Sequence, residues 1–182
     1  MESITHLHVF DFDETLVRAP SFAAKKQVES DDLKFEKPYD FYDHPKSLCE
    51  DSYNIQLISP IYEAWKQASR LENSYCILVT HRVASLEKEV KAILSLRGVE
   101  MGQYFFLGRV KEKIVVLNDV ISHFPNLAEV SIYEDSIQQL DRYQTYLSYR
   151  ENLIGNMYFV DKSKVYRLTS FHLSNEQKIQ LI

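Results

Sequence analysis

Short apolar runs and stripes of helical period alternate along most of the chain. The runs are rich in β-branched and aromatic residues, which predicts five strands, at 7–12, 75–80, 104–107, 130–133 and 157–160. Between them, apolar residues recur every three or four positions. That spacing predicts helices at 59–68, 86–94, 114–124 and 137–149.

Local signals mark where these helices begin and end. Ser59 and Pro60 suit an N-cap and a first helical position, and Gly98 suits the residue just after a helix. The regular alternation of strand and helix favours an α/β fold with a doubly wound, Rossmann-like parallel sheet and helices on both faces.

The stretch 17–58 breaks this pattern. It mixes charges with prolines, and its aromatic residues Phe35, Tyr39, Phe41 and Tyr42 show no helical period. We interpret it as a small flap or insertion after the first strand, within one domain at 1–170. Residues 171–182 are expected to form a tail that could lead to a further domain, and 176–182 could begin a helix.

Composition supports a single compact domain. The 182 residues include 12 Tyr, 10 Phe and 1 Trp but only 4 Gly, too apolar for a disordered chain. A net charge of −5 argues against a protein that coats nucleic acid. With two cysteines, no apolar segment of about 20 residues and no signal-peptide pattern, a cytoplasmic location is expected, although export by an unrecognised signal stays open.

Polar side chains that could carry chemistry follow the predicted strands. Ligands bind beyond the carboxyl ends of the strands in open parallel sheets. Several carboxylates gathered there need a compensating cation, and Mg²⁺ with oxygen ligands meets that need. The candidates are Asp11, Asp13 and Thr15 after the first strand, Thr80, His81 and Arg82 after the second, Lys113 at a helix start, Glu134 and Asp135 after the fourth, and Arg18 in the insertion.

Such a set suits phosphoryl transfer, in which a protein positions the phosphoryl group and neutralises its oxygens. The run Asp11-Phe12-Asp13-Glu14-Thr15-Leu16 resembles the first motif of the haloacid dehalogenase (HAD) superfamily, Asp-x-Asp-x-Thr/Val. Thr80, Lys113 and Asp135 match the single residues of its second, third and fourth motifs. The resemblance spans residues from about 5 to about 160 and implies the HAD fold.

The resemblance also implies roles. Asp11 would attack phosphorus and form an aspartyl phosphate, and Asp13 would protonate the leaving group and then activate water. Thr80 and Lys113 would hold the phosphoryl oxygens. The Mg²⁺ ligands would be Asp11, the backbone carbonyl of Asp13, and Asp135.

Some assignments stay open. Glu134 stands where relatives often carry Gly, so either Glu134 or Asp135 could be the principal acidic ligand. Lys111 competes with Lys113 for the same role. Thr15, Arg18, His81 and Arg82 are candidates for binding phosphate or substrate.

Two branches of the superfamily compete. The run from Asp13 to Val17 is similar to capless phosphatases that act on phosphorylated proteins. The order of the Tyr42–Leu48, Val79–Arg82 and Ile132–Asp135 segments is more weakly similar to the HAD domain named after RNA repair proteins.

The expected function is a Mg²⁺-dependent phosphomonoesterase on a phosphorylated macromolecule. A phosphoprotein is favoured, with phosphotyrosine ahead of phosphoserine or phosphothreonine. A nucleic-acid 3′-phosphatase is the alternative, and a non-catalytic interaction module is a second one. The aromatic cluster of the insertion would either bury the flap or contact a substrate ring.

Overall fold

The computed structural model describes residues 4–168 and 179–181, which form a mixed seven-stranded sheet. Five strands are parallel: β1 (His6–Phe10), β4 (Ser74–Thr80), β5 (Gln103–Phe106), β6 (Glu129–Glu134) and β7 (Ile154–Asp161). The antiparallel strands β8 (Lys164–Leu168) and β9 (Ile179–Leu181) extend the sheet beyond β7. The sheet order is β5-β4-β1-β6-β7-β8-β9.

Helices cover both faces of this sheet. One layer holds α2 (Ser59–Ala68) and α3 (Glu87–Ser95), and the other holds α4 (Lys113–Ser122) and α5 (Ile137–Ser148). Successive β1 side chains enter opposite layers, since Val9 packs with the second pair of helices and Phe10 with the first. The prediction of a Rossmann-like α/β fold is confirmed.

The strand order decides where a ligand can bind. If the five parallel strands are numbered from 1 to 5 along the chain, their order across the sheet is 3-2-1-4-5. The chain therefore continues on one side of β1 for strands 2 and 3 and on the other side for strands 4 and 5. The crevice at such a switch point, beyond the carboxyl ends of the strands, is the usual ligand site of open α/β sheets. Here it lies between β1 and β6.

The predicted insertion contains a two-stranded ribbon of β2 (Val17–Arg18) and β3 (Gln56–Leu57) and the short helix α1 (Pro38–Tyr42). Two 3₁₀ turns, Phe22–Gln27 and Pro45–Leu48, flank α1. Its apolar side chains join the core on the α2–α3 side of the sheet. The aromatic cluster divides accordingly: Phe35 and Phe41 are buried, Tyr42 is half-buried, and Tyr39 is 39% exposed.

The predicted helix ends at Gly98 and Ser59 have different outcomes. Gly98 adopts the left-handed conformation at φ +69°, and the amides of Gly98 and Val99 donate to the carbonyls of Ser95 and Leu94. These are the bonds of a glycine-terminated helix, as predicted. Ser59, predicted as an N-cap, is instead the first helical residue, because Ile58 occupies the cap.

The C-terminal prediction was partly wrong. Residues 179–181 form a strand paired with β8, where the sequence suggested the start of a helix. Their pairing partner, β8, was not predicted, so no register signal was available to identify them. The remainder of the expected tail, 171–178 and residue 182, lies outside the described residues. No helix among the described residues is long and apolar enough to cross a membrane.

A stack of rings crosses the central strands. Centroid separations are 3.9 Å for His6 and His8, 4.6 Å for Phe10 and Tyr133, and 4.7 Å for Tyr133 and Tyr158. His8 is buried, and within the described part of the chain neither ring nitrogen has a hydrogen-bond partner. Burial, and secondarily the charge of His6, lower the pKa of His8 to about 3.

His8 should therefore make folding sensitive to acid. Between its unfolded pKa of 6.5 and its folded pKa of about 3, the unfolded state binds more protons, so stability is lost as pH falls. From pH ~7 to pH ~5, the free energy of unfolding of His8→Phe should decline by about 2 kcal/mol less than that of the wild type. Urea titrations at both pH values measure this. His123→Gln, on an exposed side chain, is the control, and equal declines in wild type and His8→Phe would contradict the prediction.

Candidate active site

The candidate residues converge where β4, β1 and β6 end side by side. Asp11 follows β1, Thr80 ends β4 and Glu134 ends β6. Phe10 pairs in register with Tyr133, and the Asp11 amide donates to the Tyr133 carbonyl at 3.1 Å. The backbone ladder thereby places Asp11 beside Glu134.

Lys113 connects the two carboxylates. Its Nζ donates to Asp11 Oδ1 and to Glu134 Oε2, each at 2.7 Å, and all three side chains are buried. Because α4 begins at Lys113, its first residue projects over the sheet edge rather than along the helix side. Lys111, the competing candidate, is exposed.

Burial controls the ionisation of this group. It raises the pKa of Asp11 to about 7, aided by repulsion from Glu134 and opposed by Lys113. It likewise raises the pKa of Glu134 to about 7 and moves that of Asp135 upward. Burial alone would lower the pKa of Lys113, but Asp11 and Glu134 outweigh it and raise that pKa. The ammonium of Lys113 is thus the positive charge that faces Asp11, Glu134 and Asp135. Additional positive charge would stabilise the ionised forms of these carboxylates.

The donor set fits a hard divalent cation. Asp11, Glu134 and Asp135 each place a carboxylate oxygen so that the three atoms lie within 4.8 Å of one another. Two of these residues are buried and Asp135 is exposed, which leaves an open side. Oxygen ligands of this kind, completed by water or a phosphate, are those that Mg²⁺ takes.

Asp13 is paired with Arg82. Arg82 Nε donates to Asp13 Oδ2 at 2.9 Å and Nη2 donates to Oδ1 at 2.6 Å. Nη1 donates to Ser47 Oγ at 2.7 Å and to the carbonyl of Tyr42. Arg82 is only 2% exposed, so it binds the insertion to Asp13 inside the protein.

The other predicted residues have different surroundings. Thr80 is buried and its Oγ1 accepts from the amide of Arg82 at 3.1 Å. Thr15 is fully buried, and its Oγ1 has no hydrogen-bond partner among residues 4–168. His81 lies at the surface. Loss of part of its hydration, and secondarily the charges of Lys113 and Arg142, lower the pKa of its ring. Arg18 lies apart from the cluster and donates to Lys162 O and Ser163 Oγ in the β7–β8 turn.

Glu14 adopts φ +54°, in the left-handed region that glycine occupies most readily. Its Oε1 accepts from the amide of Ala19 at 3.0 Å, which holds the turn that separates Asp11 and Asp13 from the insertion.

A cavity of about 500 Å³ opens beside Asp13, between the insertion and the ends of β1 and β4. Tyr39, Tyr42 and Arg109 contribute to its lining. The sequence predicted the two tyrosines as possible substrate contacts, because they belong to the aromatic cluster of the insertion. It gave no signal for Arg109, which reaches the cavity because the loop after β5 packs against Tyr39 and Asp43.

Comparisons with known proteins support the fold. No protein-family model matches the chain, and no curated protein matches it. Among solved structures, a chain of the Pnkp1/Rnl/Hen1 RNA repair complex aligns with a TM-score of 0.53 at 13% identity, over 87% of this chain and 44% of that one. A chain of a further Pnkp1/Rnl/Hen1 complex gives 0.51 at 12% identity, over 88% and 48%. The protein spans less than half the length of either chain. At this identity, the likeness establishes a shared α/β fold.

Arg82 should matter for stability. Arg82→Gln removes the cation from Ser47, which is buried, and from Asp13, whose side chain is 32% exposed, so the free energy of unfolding should fall by about 2 kcal/mol. Arg82→Lys keeps the charge but not the paired donors, and should recover part of the loss. Urea unfolding measures both. Arg150→Gln, at an exposed arginine, should stay within about 0.5 kcal/mol of wild type; a similar small effect for Arg82→Gln would show that the buried contacts contribute little.

Proposed function

We propose that the protein is a Mg²⁺-dependent phosphomonoesterase that works through an aspartyl phosphate on Asp11. The supporting observation is the contact of Lys113 Nζ with Asp11 Oδ1 and Glu134 Oε2, each at 2.7 Å, at the switch point of the sheet. A carboxylate, an ammonium and an acidic cluster placed together suit phosphoryl transfer, which depends on positioning and charge neutralisation.

The reaction would proceed in two displacements. An oxygen of Asp11 forms a bond to phosphorus while the bond from phosphorus to the leaving oxygen breaks, and that oxygen departs with the electron pair and takes a proton from Asp13. Water then gives a proton to Asp13 and its oxygen bonds to phosphorus as the Asp11–phosphorus bond breaks, which releases inorganic phosphate and restores the Asp11 carboxylate. Lys113 offsets charge on the phosphoryl oxygens and on Asp11 in both steps.

The proposed metal ligands are Asp11, Glu134 and Asp135, with the backbone carbonyl of Asp13 as the further ligand that the HAD resemblance implies. Bound Mg²⁺ would supply positive charge for the phosphoryl oxygens. Without it, three carboxylates face a single ammonium, so phosphate would meet a negatively charged site. The buried position of Asp11 and Glu134 keeps bulk water from screening these charges.

The proposed substrate is a phosphorylated macromolecule, with phosphotyrosine favoured and phosphoserine or phosphothreonine next. Both Asp13 oxygens accept from Arg82, so Asp13 must leave at least one of these contacts before it can donate a proton. A phenolic leaving group, with a pKa of about 10, depends less on such a proton than an alcohol, which is a much weaker acid. The pairing of Asp13 therefore favours an aryl phosphate.

A second candidate is removal of a 3′-phosphate from a nucleic-acid end. The observation in its favour is the fold shared with chains from RNA repair complexes. A third candidate is a non-catalytic interaction module. It would give no chemical role to the buried contact of Lys113 with Asp11 and Glu134.

Replacement of Asp11 gives the first test of catalysis. Asp11→Asn removes the nucleophile while keeping the side-chain volume, so turnover of phenyl phosphate with Mg²⁺ should drop by a factor on the order of a thousand. Asp119→Asn, on an exposed face of α4, should retain wild-type turnover. Equal turnover by wild type and Asp11→Asn, or no turnover by wild type on any phosphomonoester, would exclude the mechanism.

Metal binding can be tested without turnover. A ligand that binds only the folded state stabilises it, by about 2.7 kcal/mol when present at 100 times its Kd. Mg²⁺ should therefore raise the melting temperature of the wild type, and Asp135→Asn should reduce the rise by removing the exposed ligand. Scanning calorimetry with and without Mg²⁺ gives the comparison, with Asp119→Asn again as control. The assignment fails if Asp135→Asn responds to Mg²⁺ as fully as the wild type.

A further inference from the structure

The cavity beside Asp13 has walls of a distinct character. Pro20, Pro38 and the rings of Tyr39 and Tyr42 give it apolar walls, and charged side chains, among them Arg82 and Arg109, line the rest. Its volume of about 500 Å³ falls within the range of pockets that enclose small ligands. Nothing in the phosphoryl-transfer steps requires this space.

We propose that this cavity is a subsite for an aryl ring, and that it accepts the side chain of a phosphotyrosyl residue in a peptide. The inference rests on the proposed function, because it takes the phosphate of that residue to lie at Asp11. It adds the residues that recognise the leaving group and the class of molecule that carries it.

The lining supplies surfaces that suit a flat ring. The guanidinium of Arg109 lies 3.9 Å from the centroid of the Tyr39 ring, and that of Arg82 lies 5.2 Å from the Tyr42 centroid. Each arginine is also paired with a carboxylate, Arg109 with Asp43 and Arg82 with Asp13. The tyrosine rings are thereby held in place by charged neighbours, so a ligand ring meets a preorganised wall.

The position of Asp13 indicates which part of a substrate would lie in the cavity. Asp13 lines the cavity, so the group attached to the leaving oxygen occupies the space next to it. There Ala19, Pro20 and the tyrosine rings offer apolar contact, beside the polar side chains of Glu14, Ser21 and Asp43. A phenyl ring can pack on the apolar part of this lining.

Charge favours a peptide over a nucleic acid. The cavity carries three carboxylates, of Asp13, Glu14 and Asp43, against the two guanidinium groups, both of which are already paired. A polynucleotide brings further phosphates on either side of the bound residue, and tight binding would require unpaired cations to neutralise them. A phosphotyrosyl peptide places its single phosphate near Lys113 and its ring in the cavity, and the peptide backbone that follows is uncharged.

Binding of a non-hydrolysable probe tests the inference separately from catalysis. The probe is a peptide that carries phosphonomethyl-phenylalanine, titrated calorimetrically in the presence of Mg²⁺. Tyr39→Ala should weaken binding by about tenfold, whereas Tyr39→Phe, which keeps the ring, should bind like wild type. Tyr149→Ala, at a tyrosine that is 82% exposed and outside the cavity, is the matched control.

The parallel arm uses a 3′-phosphorylated oligonucleotide, which wild type should bind at least tenfold more weakly than the peptide. Tighter binding of the oligonucleotide, or equal binding of the peptide by Tyr39→Ala and wild type, would overturn the inference. Peptide binding with the expected Tyr39 dependence, but without turnover of a phosphotyrosyl peptide, would refute the proposed catalysis and leave the aryl subsite standing.

Discussion

The contact of one buried ammonium with two buried carboxylates is the interaction on which the rest of the site depends. Removing two acids and a lysine from water is costly, and only close, mutual hydrogen bonding repays it. Lys113 meets Asp11 and Glu134 at equal distances of 2.7 Å. Apolar layers above and below the sheet keep this group out of water.

The sheet topology makes that arrangement possible. Neighbouring parallel strands end at the same edge, so residues more than a hundred positions apart in the chain, such as Asp11 and Lys113, meet without a long loop. The helix that follows β5 starts at this edge and brings its first side chain over the strand ends. The backbone pairing of β1 with β6 then fixes the spacing of the two acids. Geometry that a flexible loop would hold loosely is set here by hydrogen-bonded strands.

Sequence reasoning recovered the sheet and its edge because both rest on local patterns. Apolar periodicity located the five parallel strands, and the first motif located Asp11. It could not foresee that Arg82 points inward to Asp13, since an arginine after a strand usually lies in solvent. The outcome depends on Ser47 and the Tyr42 carbonyl, which reach Arg82 only once the insertion has folded back. The β8–β9 pairing was missed for a similar reason, because short strands at a sheet edge carry little pattern of their own.

The way Arg82 holds the insertion has a consequence for how the protein can diversify. At position 42 it contacts both the backbone carbonyl and the tyrosine ring, whose centroid lies 5.2 Å from the guanidinium. The path of the chain and the placement of this ring therefore depend on the same arginine that pairs with Asp13. Position 39 differs, because the Tyr39 ring contacts Arg109. A substitution at position 39 can change the cavity wall while the contacts of Arg82 are kept, with no change in loop length or topology.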